Sequence, residues 1–301
     1  MYDIAIIGGG AAGLTAALYA LRANKTVLVI EKGSFGGQIT FSPLVENFPT
    51  RASMSGAELA DALTEQVLSL GADVEVDTAL KIENNSEGKT VVGEFGRYDA
   101  KAVIIATGAK HRMLGLEREN DFVGEGISFC AVCDGAFYKD KQVAVIGGGN
   151  SALQEALLLS KLCSKVTIVQ NLAFLTGEDK LQEQINAADN ISVIFEATVK
   201  ELVGETSLSA IVLNTKDGEE TLEIDGMFIA IGLIPQNEAF SELIGLDSYG
   251  YADSDESCTT KTEGVYVAGD CRKKSIRQLT TACADGSVAA LAACRYLDSL
   301  K

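Results

Sequence analysis

The sequence predicts an α/β protein with two parallel-sheet units, and three observations support this prediction. First, a strand, a glycine-rich turn and an apolar helix follow one another at the start of the chain and again from residue 143. Second, the same 23 positions separate Gly8 from Glu31 and Gly147 from Gln170 (31 − 8 and 170 − 147), which marks an internal repeat. Third, the strands are runs of Ile, Val and Ala with little polar alternation, which is typical of parallel strands buried on both faces.

Length, charge and composition narrow the class of protein. The 301 residues suffice for two domains with their own cores, and 47% apolar residues with only three prolines indicate a compact α/β protein. A net charge of -17 argues against nucleic acid as a partner, because phosphate binding requires a surplus of cations. The seven cysteines form an odd set, which disfavours a fully paired secreted framework. Because the chain shows no basic leader and no apolar run near the ~20 residues of a membrane span, we expect a cytoplasmic protein without membrane contact.

The first glycine-rich turn carries the full fingerprint of a dinucleotide-binding site. Gly8 makes the tight turn after the strand, Gly10 lets the backbone approach a pyrophosphate, and Gly13 lets the helix pack closely on the strand. The next strand, Val27 to Ile30, ends in Glu31, whose carboxylate is placed to hold a ribose hydroxyl. The strand–turn–helix–strand–acid context makes this a strong indication of a bound dinucleotide.

The region between the two glycine-rich turns is predicted to contain loops, one helix and a small meander. The helix is expected at residues 58–70, and strands are expected at residues 74–82, 89–95 and 102–105. Ala106-Thr107-Gly108 ends the last strand and should face the same cofactor, since ligands bind at the carboxyl ends of parallel strands. The polar connection that follows includes His111, which we interpret as an ordinary loop histidine.

The second half is predicted to repeat this architecture and then to return to the first unit. We expect helices up to residue 162 and at residues 178–188, and strands at residues 143–146, 166–169, 191–195 and 227–231. A further buried strand at residues 265–268 is closed by Gly269-Asp270, and an alanine-rich helix follows at residues 280–297. Cys163, Cys283 and Cys294 are interpreted as small core residues of helices.

The segment Cys130-Ala131-Val132-Cys133 is the candidate reaction centre. A two-residue gap allows the two sulfurs to form a small disulfide ring and lowers the pKa of the exposed thiolate. The alternative is half of a zinc site, since the same spacing occurs in zinc ribbons. The other cysteines form no second pair of this spacing and His111 is the only histidine, so the sequence favours a redox pair and no metal.

The order of these motifs resembles the low-molecular-weight thioredoxin reductases along essentially the whole chain. Phe129-Cys130-Ala131-Val132-Cys133-Asp134-Gly135 is the most specific element of the resemblance. The resemblance implies two Rossmann-like dinucleotide-binding domains with three-layer ββα architecture, the second inserted into the first. It implies an FAD domain at residues 1–113 and 239–301, an inserted nucleotide-type domain at residues 114–238, and a homodimer. The residues that it assigns to the FAD site are Gly8, Gly10, Ala11, Ala12, Gly13, Glu31, Gly37, Gln38, Asn47, Ala106, Thr107, Gly108, Gly269, Asp270, Arg277 and Gln278.

The resemblance also implies roles for three residues of the reaction centre. Cys133 matches the cysteine that receives electrons from the flavin, and Cys130 matches the one that attacks the disulfide of thioredoxin through a mixed disulfide. Asp134 matches the proton donor, which the formation and loss of thiolates requires. The alternative is that Asp134 is only a turn residue before Gly135.

One segment departs from the family, and this departure concerns the electron donor. Members that use NADPH carry a basic His-Arg-Arg run after the second strand of the inserted domain, where guanidinium groups pair with the 2′-phosphate. Here the place reads Gln170-Asn171-Leu172-Ala173-Phe174-Leu175-Thr176, without a cation and without the acid that NAD prefers. Binding of NADPH or NADH is therefore doubtful, and the pattern is similar to the ferredoxin-dependent flavin thioredoxin reductases.

Three further hypotheses accompany this reading. Arg272-Lys273-Lys274, with Arg277 beyond, is a basic cluster at which an acidic ferredoxin is expected to dock, the alternative being a solvated loop. Two rival hypotheses stay open. One is the same disulfide reductase with NADPH or NADH as its electron donor, and the other is a flavin/dithiol redox sensor that does not turn over. A relative with an added thioredoxin-like arm is disfavoured, because the chain has no second CxxC.

Overall fold

The computed structural model describes residues 1–42 and 45–300, which form two compact units. The first unit comprises Met1–Lys110 and Ile234–Lys301, and the second comprises His111–Leu233. The second unit is thus inserted into the first, as the fold prediction states. The observed divisions fall three to five residues before the expected domain limits at 113/114 and 238/239.

The first unit is built on a mainly parallel sheet with helices α1, α2 and α8. The order of its strands is β3-β2-β1-β6-β5-β4, with β17 also paired to β6. Strands β4 and β5 are antiparallel to their neighbours and form the predicted meander. The elements are β1 Tyr2–Ile7, α1 Ala11–Arg22, β2 Val27–Glu31, α2 Gly56–Ser69, β3 Asp73–Val76, β4 Ala79–Asn84, β5 Lys89–Gly93, β6 Arg97–Ile105, β7 Ala109–His111, α7 Ser241–Ile244, β17 Val265–Val267 and α8 Leu279–Ser299.

The second unit contains a parallel sheet and a separate antiparallel sheet. The parallel sheet has the order β11-β10-β9-β15-β8, and β12-β13-β14 form the antiparallel layer. The elements are α3 Glu119–Phe122, β8 Ile127–Ser128, α4 Ala131–Asp134, β9 Gln142–Ile146, α5 Asn150–Leu159, β10 Lys165–Val169, α6 Asp179–Ala187, β11 Ile191–Ile194, β12 Thr198–Gly204, β13 Leu208–Thr215, β14 Gly218–Glu223, β15 Gly226–Ile229 and β16 Leu233–Pro235.

Apolar runs and local capping explain most of these elements. Ile4 and Ile104 belong to one core cluster, whereas their neighbours Ala5 and Val103 belong to a second one, and all four are fully buried. The unalternated strands β1 and β6 therefore have a core on both faces. Helix α2 begins at a capping box in which Ser55 and Glu58 satisfy each other's backbone N–H groups. Helix α8 packs along α1, because Gly286 has no side chain to collide with the backbone of Ala12.

The prediction of one continuous strand at residues 74–82 is wrong. The chain leaves the sheet after Val76 and starts a new strand at Ala79, because Asp77 turns inward and is only 3% exposed. Its carboxylate accepts hydrogen bonds from the backbone N–H groups of Glu94 and Gly96 at 2.9 and 3.0 Å. A buried acid can therefore interrupt a strand when it satisfies a neighbouring turn.

Candidate functional site

The first cradle consists of the turn at residues 8–13 together with Glu31. Gly8 has a φ of +110° and its N–H donates to the carbonyl of Ile30 at 2.8 Å, which fixes the tight turn. A Cβ on Gly13 would overlap the carbonyl oxygen of Gly8, so only glycine allows α1 to start so close to β1. At Gly10 the nearest atom to a Cβ would lie 3.8 Å away, which leaves open space above the backbone. This open space at the start of α1, a helix of 12 residues, fits a pyrophosphate.

Glu31 is the last residue of β2, and its carboxylate accepts hydrogen bonds from the backbone of the first cradle and of the following loop. One carboxylate oxygen accepts the N–H of Gly9 at 2.7 Å, and the other accepts the N–H of Gly33 at 2.9 Å. A carboxylate has about four acceptor positions. Both oxygens therefore keep capacity for a ribose hydroxyl, the role that the sequence predicts for this residue.

Two loops bring further predicted cofactor residues to the first cradle. The N–H of Gly36 donates to the carbonyl of Gly9 at 2.7 Å, and Gly37 lies against Gly10 at the start of a 3₁₀ turn. The exposed side chain of Gln38 follows in that turn. The amide of Asn47 donates to Oε1 of Gln278 at 3.4 Å, so residues separated by most of the chain meet.

The turns after β6 and β17 lie at the same edge of the sheet, because the two strands are parallel neighbours. Asp270, in the turn after β17, has a buried Oδ1 for which the described residues supply no hydrogen-bond partner. Burial raises the pKa of this carboxyl against the lowering effect of Lys274, whose Nζ lies 3.6 Å away. Because Lys274 Nζ is an ion-pair partner beyond hydrogen-bond distance, this buried oxygen keeps an acceptor position that a hydroxyl-bearing cofactor such as FAD would satisfy.

Two cations of the basic cluster, Arg272 and Lys274, are internal, and the exposed Lys273 pairs with Asp253, so the cluster does not form the compact surface patch that a docking site requires. The side chains of Arg272 and Lys274 are only 4% and 6% exposed. Arg272 donates twice to Asp285, at 2.8 and 2.7 Å, and Lys274 donates to the same carboxylate at 3.0 Å. Asp285 also accepts the N–H of Gly269 at 3.0 Å, so this network positions the turn that carries Asp270.

The sequence analysis did not identify Asn237, whose side chain connects loops at the same edge of the sheet. Its side chain is fully buried and donates to the carbonyls of Gly250 and Cys271 at 3.0 and 2.7 Å. The hydroxyl of Thr107 lies 3.2 Å from Oδ1 of Asn237. An asparagine in a loop has no distinguishing sequence pattern, so only the structure could find it.

Arg277 and Gln278 prepare the start of α8. The guanidinium of Arg277 lies 4.1 Å from the centre of the Tyr251 ring, an arrangement that fixes the side chain by a cation–π contact. Gln278 is the N-cap of α8 and its N–H donates to the hydroxyl of Thr281 at 3.1 Å. Both residues therefore belong to a rigid turn beside Asp270.

The cysteine pair lies in the second unit and is bonded. Cys130 and Cys133 form a disulfide with their Cα atoms 5.3 Å apart, so the redox pairing predicted from the spacing is sterically realised. Cys130 is the N-cap of α4, and its sulfur accepts the N–H of Cys133 at 3.2 Å. Val132, between the cysteines, is 61% exposed, which makes the disulfide accessible to a large partner. The described residues contain no group of three or more potential metal ligands.

Asp134 is tied to the cysteine pair through Ser128, a residue that the sequence reading did not single out. The hydroxyl of Ser128 donates to Oδ2 of Asp134 at 2.6 Å and accepts the N–H of Cys130 at 3.2 Å. Oδ1 of Asp134 is buried and finds no partner within the described part of the chain. Burial raises the pKa of Asp134 although the Ser128 hydroxyl opposes this. The geometry favours the proton-holding role over the turn role.

His111 is not the ordinary loop histidine that we expected. Its ring stacks on Phe129, the residue before Cys130, with the ring centres 4.4 Å apart. Burial lowers the pKa of His111 to about 4, so the ring is neutral at pH 7 and acts as an apolar support.

The second cradle consists of the turn at residues 147–152 together with Gln170. Gly147 has a φ of +125°, as in the first cradle, but Gln170 is only 4% exposed and its side chain lies on Gly148. The Gln170 amide donates to the carbonyl of Phe174 at 3.0 Å, and the N–H groups of Thr176 and Gly177 both bond to the carbonyl of Gly148. The loop therefore folds back onto its own glycine turn.

An acidic side chain stands at the start of α5 in the second cradle. Asn150, the first residue of α5, donates to the Glu178 carboxylate at 3.0 Å and accepts the N–H of Glu178 at 2.7 Å. Phe174 and Leu172, in the intervening loop, are 61% and 40% exposed. The two cradles leave similar space at the third glycine of the turn, since the nearest atom to a Cβ would lie 3.8 Å away at Gly10 and 3.7 Å away at Gly149. The second cradle differs in the Glu178 carboxylate at the start of its helix and in its exposed apolar loop.

Comparisons with known proteins agree with this arrangement. The sequence matches the pyridine nucleotide-disulphide oxidoreductase family over residues 2–286. A thioredoxin reductase of Listeria monocytogenes is 40% identical over 304 residues, which cover 100% of this chain and 95% of that protein. A "34.2 kDa protein in rubredoxin operon" of Clostridium pasteurianum is 42% identical over 298 residues, covering 98% and 97% of the two chains. The crystal structure of the Streptococcus pyogenes thioredoxin reductase has a TM-score of 0.94 at 39% identity, with 99% of each chain covered.

The two cradles, the bonded cysteine pair and these matches define a flavin-dependent disulfide oxidoreductase whose cofactor is FAD. Within this class, the chain belongs to the low-molecular-weight thioredoxin reductase family. Both the family resemblance and the fold predicted from the sequence are confirmed. Along the described residues, no helix combines the length and apolarity needed to cross a membrane.

Proposed function

We propose that this protein reduces the disulfide of a thioredoxin and receives its electrons from a ferredoxin, one at a time, instead of from a nicotinamide nucleotide. The observation that carries the donor assignment is the second cradle, in which the Glu178 carboxylate lies at the start of α5 and the loop after β10 supplies no cation for a 2′-phosphate. The substrate assignment is supported by the relatives named thioredoxin reductase.

The family resemblance assigns the dithiol chemistry to Cys130 and Cys133, and the disulfide between them supports this assignment. Bound FAD supplies the electron pair that opens a disulfide. Cys133 receives these electrons, and Cys130 leaves as a thiolate that attacks the thioredoxin disulfide and forms a mixed disulfide. Cys133 then attacks the sulfur of Cys130, which restores the Cys130–Cys133 bond and releases the second thioredoxin thiolate.

Two protons must reach the two thioredoxin sulfurs in each cycle. Asp134 is suited to hold one of them, because its buried carboxyl has a raised pKa and is linked through Ser128 to the backbone of Cys130. One departing thiolate can thereby be neutralised near the site where it forms.

The electrostatics of the second cradle oppose a bound pyrophosphate. A helix N-terminus favours an anion, but here the Glu178 carboxylate already lies at the first residue of α5. From Gln170 to Glu178 the sequence offers no cation for a 2′-phosphate, and the Gln170 amide is engaged by Phe174. The pyrophosphate of a nucleotide would meet a like charge at the start of α5.

A rival donor and a rival class of function are distinguishable from this proposal. NADPH or NADH as donor requires the loop at residues 170–178 to open on binding. A flavin/dithiol sensor without turnover requires a stable partner complex and no multiple-turnover thiol production. We also propose, from the family resemblance, that the chain acts as a homodimer, and its free cysteines suit a reducing, cytoplasmic compartment.

The test is an anaerobic titration of the flavin-loaded protein followed by absorbance of the flavin. We expect no bleaching with excess NADPH or NADH, rapid bleaching with photoreduced ferredoxin, and catalytic reduction of thioredoxin in the ferredoxin mixture. In Cys133→Ser, ferredoxin should still bleach the flavin while thioredoxin reduction stops, because the acceptor of the flavin's electrons is absent. Bleaching of wild type by either nucleotide would overturn the donor assignment.

A further inference from the structure

Glu155 is a half-buried residue with one buried carboxylate oxygen, Oε2, and the chemistry described so far does not use it. It lies in α5 among residues that face the core, since its helix neighbours Ala152, Ala156 and Leu159 are fully buried. Ala131 of α4 belongs to the same apolar cluster, so the helical turn between the cysteines packs against this face of α5. The backbone N–H of Ala131, the residue next to Cys130, interacts with the Glu155 carboxyl and acts to lower its pKa.

Nothing ionic compensates Glu155 in the described residues. Its Oε2 is buried without a hydrogen-bond partner, and it takes part in none of the ion pairs formed there. Burial raises the pKa of Glu155 to about 8, although the Ala131 hydrogen bond acts in the opposite direction. The titratable or charged groups on the elements packed against α5 are Cys130, Cys133, Asp134, Lys165, Asp179, Lys180 and Glu183.

We propose that Glu155 is a second proton-holding carboxyl of the reaction centre, which positions the α4 turn through Ala131 and whose protonation is coupled to the redox state of Cys130 and Cys133. This proposal rests on the dithiol role given above. It assigns Glu155 as a positioning residue, because it contacts the turn and not the reacting sulfurs.

The coupling follows from the charge that reduction creates. Reduction breaks the S–S bond with two electrons and, with one proton, leaves one thiol and one thiolate. A thiolate near Glu155 makes its ionised form less favourable, so the carboxyl binds its proton more tightly in the dithiol state than in the disulfide state. At pH 7 Glu155 is protonated in both states and adds nothing. At and above pH 8 it is partly ionised only in the disulfide state, and reduction then takes up additional proton at Glu155.

We therefore expect the equilibrium constant for reduction of the Cys130–Cys133 disulfide to fall more steeply with rising pH than it would without the Glu155 carboxyl. Wild-type protein and Glu155→Gln, both loaded with flavin, should be equilibrated between pH 7 and 9 with mixtures of reduced and oxidised dithiothreitol. The fraction of protein with Cys130 and Cys133 as free thiols is then measured by alkylation and mass spectrometry. The amide of glutamine can still accept from Ala131 but cannot titrate. The equilibrium constants should agree at pH 7 and differ several-fold at pH 9, with wild type less reducible; one pKa unit of coupling corresponds to a tenfold difference.

The control is Glu183→Gln, which removes an exposed acid from α6 and should reproduce the wild-type profile. If the equilibrium constants of wild type and Glu155→Gln changed in parallel over the whole pH range, the coupling would be refuted. The same holds if the variant differed only in the rate of its thiol–disulfide exchange. A second measurement needs no variant: infrared difference spectra of wild type at pH 8.5 should show a protonated-carboxyl band that grows on reduction, and its absence would equally refute the proposal. Since dithiothreitol replaces the physiological donor, bleaching by NADPH would remove the donor proposal and leave this one intact.

Discussion

The first cradle at residues 8–13 and the second at residues 147–152 share a strand, a glycine turn with positive φ and an apolar helix. They differ in the side chain that closes them. Glu31 accepts two backbone N–H groups and keeps acceptor capacity for a ribose hydroxyl, whereas the Gln170 amide donates to its own loop and the Glu178 carboxylate lies at the start of α5. The same backbone can therefore carry side chains that favour a dinucleotide or side chains that oppose it.

A matched pair of glycine substitutions should separate the two cradles most strongly. Gly10 and Gly149 both have φ values that any residue adopts, -79° and -88°, and both have room for a Cβ. Gly10→Val should place methyl groups where the pyrophosphate approaches and lower FAD affinity by about 100-fold or more, equivalent to about 2.7 kcal/mol. Gly149→Val should keep its FAD and its ferredoxin-driven turnover. Flavin content after gel filtration and a fluorescence titration measure the first effect.

The reverse result would change the comparison. If Gly149→Val lost ferredoxin-driven turnover while retaining FAD, the second cradle would hold a functional ligand, and the closed loop would be only one of its states.

The ion network beside the first cradle has no counterpart after β15, where the chain reads Ala230-Ile231-Gly232. Asp285→Asn should leave Arg272 and Lys274 buried without their shared anion, at a cost of roughly 3–5 kcal/mol of unfolding free energy at pH 7. Denaturant unfolding measures this loss. Glu83→Gln, which breaks the surface pairs of Glu83 with Lys81 and Arg97, is the control and should leave the unfolding midpoint nearly unchanged.

The same carboxylate gives a pH dependence with a defined sign. Burial alone would raise the pKa of Asp285, but the hydrogen bonds and charges of Arg272 and Lys274 outweigh it and lower the pKa below the ordinary 3.8. The stabilisation is therefore complete above pH 4 and is lost as the pH falls through the lowered value. Wild type and Asp285→Asn should converge in stability toward pH 2; a constant difference down to that pH would contradict the ion-pair account.

The smallest expected effect concerns the closure of the second cradle. Gln170→Glu replaces the amide that donates to the carbonyl of Phe174, so two acceptors would face each other in a buried place. We expect a loss of about 1–3 kcal/mol in unfolding free energy and no gain in NADH-dependent bleaching, because Glu178 still occupies the start of α5. Appearance of rapid NADH reduction in this variant would show that a single side chain closes the site.

Much of the fold could be read from local patterns. The buried strands and both glycine turns lie where hydrophobic runs and fingerprints placed them, because parallel strands and tight turns impose strong local demands. The strand at residues 74–82 could not be read correctly, since its break depends on a turn that Asp77 reaches 17 residues later. The prediction of a docking site at Arg272 failed for a similar reason. Its partner Asp285 lies on α8, and the closeness of cations in the sequence does not show whether their side chains are buried.

The sequence by itself determined the cysteine pair, the two glycine turns, the family and the missing cations of the loop after β10, because each depends on residue types at fixed spacing. Only the tertiary structure decided the rest. It tied Ser128 to Asp134, brought Glu155 against the turn that carries Cys130, buried the cations around Asp285 and folded Gln170 onto Gly148. Hydrogen bonding and burial depend on which elements pack together, and no single segment contains that information.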